Sequence, residues 1–345
     1  MRISRTASRW LGRRAVVSPH IGTLDSPRSI AVFAQVIGDL QDLYGVRAQG
    51  LVCDAHPRYA GSRWARAAGL PVQTVWHHHA HAAALAGEHA ALATGPLLVF
   101  CWDGVGLGVD GTLWGGEVFL GRPGCWRRVA SLRPFRLPGG ERVAREPWRS
   151  AASLHWEAGL EPPDLGREFG LLHAAWAKGL HAPWTSSAGR LFDAAAALVT
   201  GLRDSSYEAQ GPMQLEALAS APGGSRELPP VELPWTIDAS GLLRLDWQPL
   251  LGPLAADDSP PQQRARLLHR SLGAAIAALA SRLAAQQPIA GIGLAGGVFQ
   301  NRVLVEDVLA RLADRGLEVL LPQRLPANDA AIAFGQLVEA GASAC

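Results

Sequence analysis

Two stretches of the chain, 15–102 and 289–340, alternate short runs of β-branched and large apolar residues with longer segments whose apolar residues recur at helical spacing. In the first, Ala15–Val17, Gly50–Cys53, Val72–Trp76 and Leu97–Trp102 read as strands. Ile30–Tyr44 reads as a helix, because Ile30, Phe33, Val36, Ile37, Leu40 and Leu43 fall on one face. In the second, Ile289–Leu294 and Leu317–Leu321 read as strands, and Val298–Ala313 and Asp329–Ala340 as helices. Such alternation builds a sheet covered by helices. Between the two lies a mostly helical middle, about 148–220, and then a proline-rich stretch, 228–261, predicted to be a linker or surface excursion. Two α/β halves around a helical insertion predict an α/β fold of two lobes, 1–145 and 146–345. Their cleft would lie where ligands favour the carboxyl ends of strands.

Composition narrows the chemistry. The chain has 345 residues, 48% of them hydrophobic, enough for a sizeable core. Its apolar runs stop well short of the roughly 20 residues a spanning helix needs. The basic opening MRISRTASRWLGRRAVV lacks the apolar core of a secretion signal, so no membrane segment and a cytoplasmic location are expected. A net charge of +2, with charges dispersed, shows no basic stripe for nucleic acid. The four cysteines, Cys53, Cys101, Cys125 and Cys345, form no C-x-x-C pair, which argues against a structural zinc site and a disulfide scaffold. Cys345 reads as a frayed end. Lys178 is the only lysine, so a phosphate loop of the G-x-x-x-x-G-K-[ST] kind cannot exist here.

Four histidines in five residues, His77-His78-His79-Ala80-His81, follow a predicted strand and open an alanine-rich helix running to about Glu88. His77 and His81, four apart, share one helix face, the spacing that lets two imidazoles bind one ion, whereas His78 and His79 point elsewhere. An exposed polar helix start is the plainer reading for two histidines; four favour a ligand role. Leu98–Trp102 then delivers Asp103 at a strand end, followed by the glycine-rich GVGLGVDGTLWGGE. This arrangement either presents a carboxylate to a metal and a phosphate or forms a glycine-rich hairpin with Asp103 capping its turn. Gly296-Gly297, between a strand and a helix start, offers free amides to an anion, with Asn301 able to reach a sugar or base; a tight connection explains the glycines equally well. Asp329 opens the last helix, where an N-cap is the default role.

In this order the segments SPHIGTLDS, DAHPRY, HHHAH, DGVGLGVDGTLWGGE, LPGGERVAREPWR, TSSAGRLFDAAAAL, SYEAQGPMQLEALA, LAGGVFQNRVL and LPANDAAIAFGQ span nearly the whole chain from Ser18. The chain resembles the C-terminal carbamoyltransferase domain of the HypF family, which is similar in turn to the tRNA threonylcarbamoyl transferase TsaD. The resemblance implies an actin-like (ASKHA) fold in which His77, His81, Asp103 and Asp329 hold one metal ion. Two imidazoles and two carboxylates suit Fe or Zn better than Ca or Mg. It further implies ATP or carbamoyl-AMP across the cleft, with Gly296, Gly297 and Asn301 on one side and Asp193 and Glu208 near the ribose. The implied reaction moves a carbamoyl group, originating in carbamoyl phosphate, from carbamoyl-adenylate to the C-terminal cysteine of the partner HypE in nickel-iron hydrogenase maturation. No general base stands out.

The chain departs from the family in two ways. Full-length members carry an acylphosphatase-like domain, zinc fingers and an adenylate-forming domain for which this length has no room. The family's first hairpin bears glycine and lysine, whereas this chain begins MRISRTASRW. The competing readings are a TsaD-like enzyme acting on tRNA, disfavoured by the HHHAH motif and the absence of a basic surface, and a nucleotide-binding scaffold without turnover.

Overall fold

The computed structural model describes residues 8–11, 14–90, 95–166, 169–222, 228–256 and 258–342. β1 (Ser8–Leu11) and β2 (Arg14–Val17) pair antiparallel. α1 (Pro27–Leu43) begins at Ser26, whose hydroxyl accepts from the Ser29 amide while the Ser29 hydroxyl accepts from the Ser26 amide, with Pro27 in the first turn. β3 (Leu51–Asp54), α2 (Ala60–Ala67) and β4 (Val72–Val75) form a parallel β–α–β unit, and α3 (His77–Glu88) follows directly.

β5 (Leu97–Leu107), β6 (Leu113–Arg122) and β7 (Cys125–Leu132) run antiparallel. Next come β8 (Phe135–Arg136), α4 (Trp148–Glu157), α5 (Gly170–Ala177), β9 (Trp184–Thr185), α6 (Ala188–Thr200) and α7 (Gln210–Ser220). The rest is β10 (Trp235–Ile237), β11 (Leu243–Leu245), α8 (Leu251–Ala255), α9 (Pro261–Gln286), β12 (Gly291–Ala295), α10 (Arg302–Ala313), β13 (Val319–Leu320) and α11 (Ile332–Ala340). One nine-stranded sheet has the order β10-β11-β7-β6-β5-β12-β13, with β8 and β9 attached beside β6. It draws strands from both sides of residue 145.

β5 is the spine of this sheet, antiparallel to β6 and parallel to β12, and both its faces are buried. Leu98, Phe100 and Trp102 enter the main core against α6 and α9, while Leu97, Val99 and Cys101 face Ala82 and Leu85 of α3. A strand covered on both faces reads as a continuous apolar run, as 97–102 does. α3 meets α11 at near-backbone distance: a Cβ on Gly335 would overlap the Ala80 carbonyl, and one on Gly87 would lie 3.0 Å from the Phe334 ring. The alanines of α3 make this approach possible.

Two expectations need correction. The proline-rich stretch is no linker: β10 and β11 extend the sheet beyond β7, and Leu245, Trp247 and Leu250 are fully buried. Its prolines sit outside the strands, where no ladder hydrogen bond is lost. The helix expected over 298–313 is broken, because a 3-10 turn over Gly297–Gln300 ends at an extended Asn301 before α10 begins.

Cys53 and Cys101 are free and buried, and Cys125 is disulfide-bonded, which the cysteine spacing did not suggest; Cys345 lies outside the described residues. Among the described residues no helix is long and apolar enough to cross a membrane.

Trp247→Ala should lower stability by about 3–5 kcal/mol in a denaturant titration, the cost of emptying a large buried site. A change within about 0.5 kcal/mol, as expected of a surface excursion, would restore the linker reading.

Candidate metal and nucleotide site

β5 does not end at Trp102. It continues to Leu107 through a bulge in which Asp103, Gly104 and Val105 oppose Gly115 alone, since Trp102 pairs Gly116 and Gly106 pairs Trp114. Extra residues in one strand bend it and re-aim its side chains. Gly115 is required opposite, because a Cβ there would lie 2.8 Å from the Asp103 carbonyl. The Asp103 carboxylate thus turns towards α3.

There the structure brings His77, His81, Asp103 and Asp329 together, with one ligand atom from each lying within 4.8 Å of all the others. His77 Nε2 is 3.1 Å from Asp103 Oδ2 and 3.6 Å from Asp329 Oδ1, and His81 Nε2 is 3.4 Å from each. Ligand atoms on a tetrahedral ion with bonds of about 2.1 Å sit about 3.4 Å apart. Buried His81 Nε2 meets both carboxylates at 3.4 Å without hydrogen-bond alignment, so the residues present fit one metal ion of the kind that takes mixed nitrogen and oxygen ligands.

Asp329 is not an N-cap: Asn328 caps the turn, accepting from the Ala330 amide, which frees Asp329 to face the histidines. His78 and His79 lie outside the cluster. His78 is fully buried near Trp114, with both ring nitrogens unpartnered, and His79 sits edge-on to Phe119.

Asp54, in the DAHPRY segment, has no role assigned from the sequence. Its Oδ2 lies 3.3 Å from His77 Nδ1 and its Oδ1 accepts from the His56 amide at 2.7 Å. A carboxylate behind a ligating imidazole fixes the tautomer that turns the other nitrogen to the metal. The signal was present: a carboxylate at the end of the strand beside the one that delivers the histidines.

Electrostatics bind the cluster in the absence of an ion. Burial works to lower the pKa of His77, but hydrogen bonds to Asp103 and Asp54 carry it well above the ordinary value. Burial opposes ionisation of Asp103 as well, yet the bonds to His77 and His81 hold it well below the usual carboxylate range. For His81 the same contest, burial against the nearby Asp103 and Asp329 carboxylates, ends with a raised pKa.

The glycine turn touches this cluster directly. Gly297 N–H donates to Asp103 Oδ1 at 3.1 Å, and Gly296 N–H to the Ala327 carbonyl at 2.9 Å, so these amides are not idle. Gly296, at φ 96°, has backbone only glycine adopts freely, and a Cβ there would overlap the Trp102 carbonyl. Asn301 differs from expectation. Its Oδ1 caps α10 at the Leu304 amide and its Nδ2 faces His269 Nε2 at 2.9 Å, so its carboxamide is held in the interior. Asp193, buried on α6, pairs with Arg190 at 2.9 Å, and burial pushes its carboxyl up to about 6 despite that cation. Glu208 is exposed ahead of α7.

A second buried carboxylate, unassigned from sequence, joins the hairpin to α6. Glu117 accepts from the Gly115 and Gly116 amides, from Ser186 Oγ at 2.5 Å and from Arg128 at 2.9 Å. Next to it, the Ser187 hydroxyl donates to the Gly104 carbonyl and caps α6.

Fold and site together define a mixed α/β protein with a two-histidine, two-carboxylate cluster that could hold a metal ion, joined to a glycine turn. Two family models match: the HypF Kae1-like domain over residues 3–88, and the carbamoyltransferase Kae1-like domain, second subdomain, over 99–336. A carbamoyltransferase HypF of Rhizobium leguminosarum bv. viciae is 38% identical over 335 residues, 94% of this chain and 42% of that protein. A HypF homolog of Cupriavidus necator is 37% identical over 345 residues, 94% of this chain and 86% of its own. The crystal structure of full-length HypF in its phosphate- and nucleotide-bound form superposes with a TM-score of 0.88 at 26% identity, covering 98% of this chain and 45% of that one. The chain belongs to the HypF carbamoyltransferase family and has the mixed α/β fold of the family's Kae1-like domain. It spans less than half the length of the first relatives it matches.

Asp54→Asn should weaken metal binding about 10- to 100-fold in a chelator competition while the metal-free variant still unfolds cooperatively; unchanged affinity would remove Asp54 from the site. A second expectation concerns pH. A histidine whose folded pKa is raised contributes stability that is full below its unfolded value and is lost as pH rises through the folded one. His56, His78, His79, His155 and His269 are shifted the other way and have already lost their protons in both states above neutrality. The chelator-treated protein should therefore lose thermal stability as pH rises above neutrality, through His77 and His81. A flat or rising profile would show that these imidazoles are not ion-paired.

Proposed function

We propose that this chain holds one Fe or Zn ion on His77, His81, Asp103 and Asp329, binds carbamoyl-adenylate against the glycine turn, and transfers the carbamoyl group to the C-terminal cysteine of HypE in hydrogenase maturation. The observation that carries the reading is the set of four imidazole-to-carboxylate distances, 3.1–3.6 Å, in a chain of this family. The nucleotide-bound state of the related full-length HypF supports a nucleotide here. When bound, the metal supplies Lewis acidity that neutralises phosphate charge and polarises the acyl group.

The chain's own residues prepare the site. Asp54 accepts the His77 Nδ1 proton and leaves Nε2 as the ligand atom. Gly297 N–H holds the far oxygen of Asp103, and Gly296 and Gly297 keep the turn low enough for a phosphate to approach. Asp193 and Glu208 are assigned to the ribose side by family resemblance; Asn301 supports the turn and α10 instead. The acceptor thiolate attacks the carbamoyl carbon, a C–S bond forms, the C–O bond to phosphate breaks, and AMP leaves with the electron pair. A thiol of lowered pKa needs no further base.

Incubation of the metal-loaded chain with preformed carbamoyl-adenylate and HypE should add one carbamoyl group to the HypE C-terminal peptide, read by mass spectrometry. Asp103→Asn should reduce the rate by roughly a hundredfold or more, as loss of one electrostatic stabiliser does. No labelling by the wild type would favour a nucleotide-binding scaffold, and equal labelling by the variant would place the chemistry elsewhere.

A further inference from the structure

The metal cluster and glycine turn leave one question open: what side chain cation meets the phosphate in a chain whose single lysine, Lys178, is exposed at the end of α5. Arg190 stands apart from the other arginines among the described residues. Its Nε and Nη1 are both buried without a hydrogen-bond partner, whereas Arg128 and Arg264 each leave only one nitrogen so. Its contact with Asp193, Nη1 to Oδ2 at 2.9 Å, is an ion pair without hydrogen-bond alignment. A guanidinium removed from water in this way is costly unless a further acceptor satisfies it.

Its position is set by tight packing. Ser187 caps α6 by accepting from the Arg190 amide at 3.0 Å, and its hydroxyl donates to the Gly104 carbonyl. Gly189 lies so close that a Cβ there would be 2.9 Å from Gly104 Cα. The first turn of α6 is thereby pressed against the bulge that carries Asp103. Above Gly104 the space is open: apart from its chain neighbours Asp103 and Val105, the only atom of the described residues within 4 Å of where its Cβ would be is Arg190 Nη2, at 3.9 Å. Nη2 of Arg190 therefore faces an opening one residue from the Asp103 carboxylate, with Nε and Nη1 buried behind it.

We propose that Arg190 is a phosphate-binding residue of this site, donating from its guanidinium to the phosphate of a nucleoside monophosphate ester lodged over Gly104. This deepens the function proposed above and rests on it. A planar fork matches phosphate oxygens in pairs, and a glycine at 104 lets the ester approach the backbone. Asp193 is suited to orient the fork without cancelling it, since burial holds its carboxyl near 6 and a monoanion cannot satisfy every N–H of the guanidinium.

Calorimetric titration of the metal-loaded full chain with AMP and with adenosine separates the possibilities. Arg190→Gln should weaken AMP binding roughly 10- to 100-fold, the range for hydrogen bonds to a charged group, and leave adenosine binding, or its absence, as in the wild type. Arg190→Lys, which keeps the charge and the Asp193 pair but not the fork, should recover only part of the loss and guards against a misfolded glutamine variant. Metal content and unfolding midpoint should be unchanged in both. AMP affinity equal to wild type, or parallel losses for AMP and adenosine, would overturn the assignment. A wild type that holds its metal but binds no AMP would instead overturn the nucleotide reading on which it rests.

Discussion

The carboxylate of Asp103 ties together three elements that are far apart in sequence. One oxygen faces His77 and His81 on α3; the other accepts the amide of Gly297 beyond β12. A buried carboxylate of this kind costs several kcal/mol unless every lone pair finds a partner. The partners therefore have to be placed with care, and much of the surrounding architecture does that placing. The bulge in β5 turns Asp103 out of the sheet, and the parallel pairing of β5 with β12 brings the glycine turn beside it.

Placement by close approach recurs around the site. α3 can come within reach of α11 because it is built of alanines and because Gly335 leaves room for the Ala80 carbonyl. That contact is what carries Asp329, one turn ahead of α11, to the two histidines. On the opposite side, Gly115 and Gly189 admit the bulge backbone, while Glu117 gathers the Gly115 and Gly116 amides and Ser186 around one buried charge. Each of these glycines stands where a methyl group would separate the elements that make the cluster. The glycine-rich segments are thus a packing requirement as much as a ligand-binding one.

Much of this was legible in the sequence, and the failures have physical reasons. The strand and helix alternation exposed most elements because the apolar periodicities of β5, α1 and α10 are strong. The i, i+4 spacing of His77 and His81 gave the helix face. The proline-rich stretch misled because prolines were weighed over the apolar residues between them, Leu243, Leu245 and Trp247, which decide burial. Asp54 went unassigned because the pairing of β3 with β4, which sets it behind His77, is a tertiary fact. Asn301 was assigned to the ligand by its position after the glycines, although an asparagine ahead of a helix is first a cap. Arg190 carries no local signal, because its two unpartnered nitrogens are a product of the tertiary packing of α6 against the β5 bulge.

The account stands on the four-residue cluster being a metal centre, and the most direct test is the metal content of purified protein together with that of His77→Ala, His81→Ala and His79→Ala. The wild type and His79→Ala should retain one equivalent of Fe or Zn per chain, with X-ray absorption showing a nitrogen and oxygen shell that includes two imidazoles, while His77→Ala and His81→Ala should lose the metal. Equal retention in all four proteins, or a shell containing sulfur, would contradict the assignment.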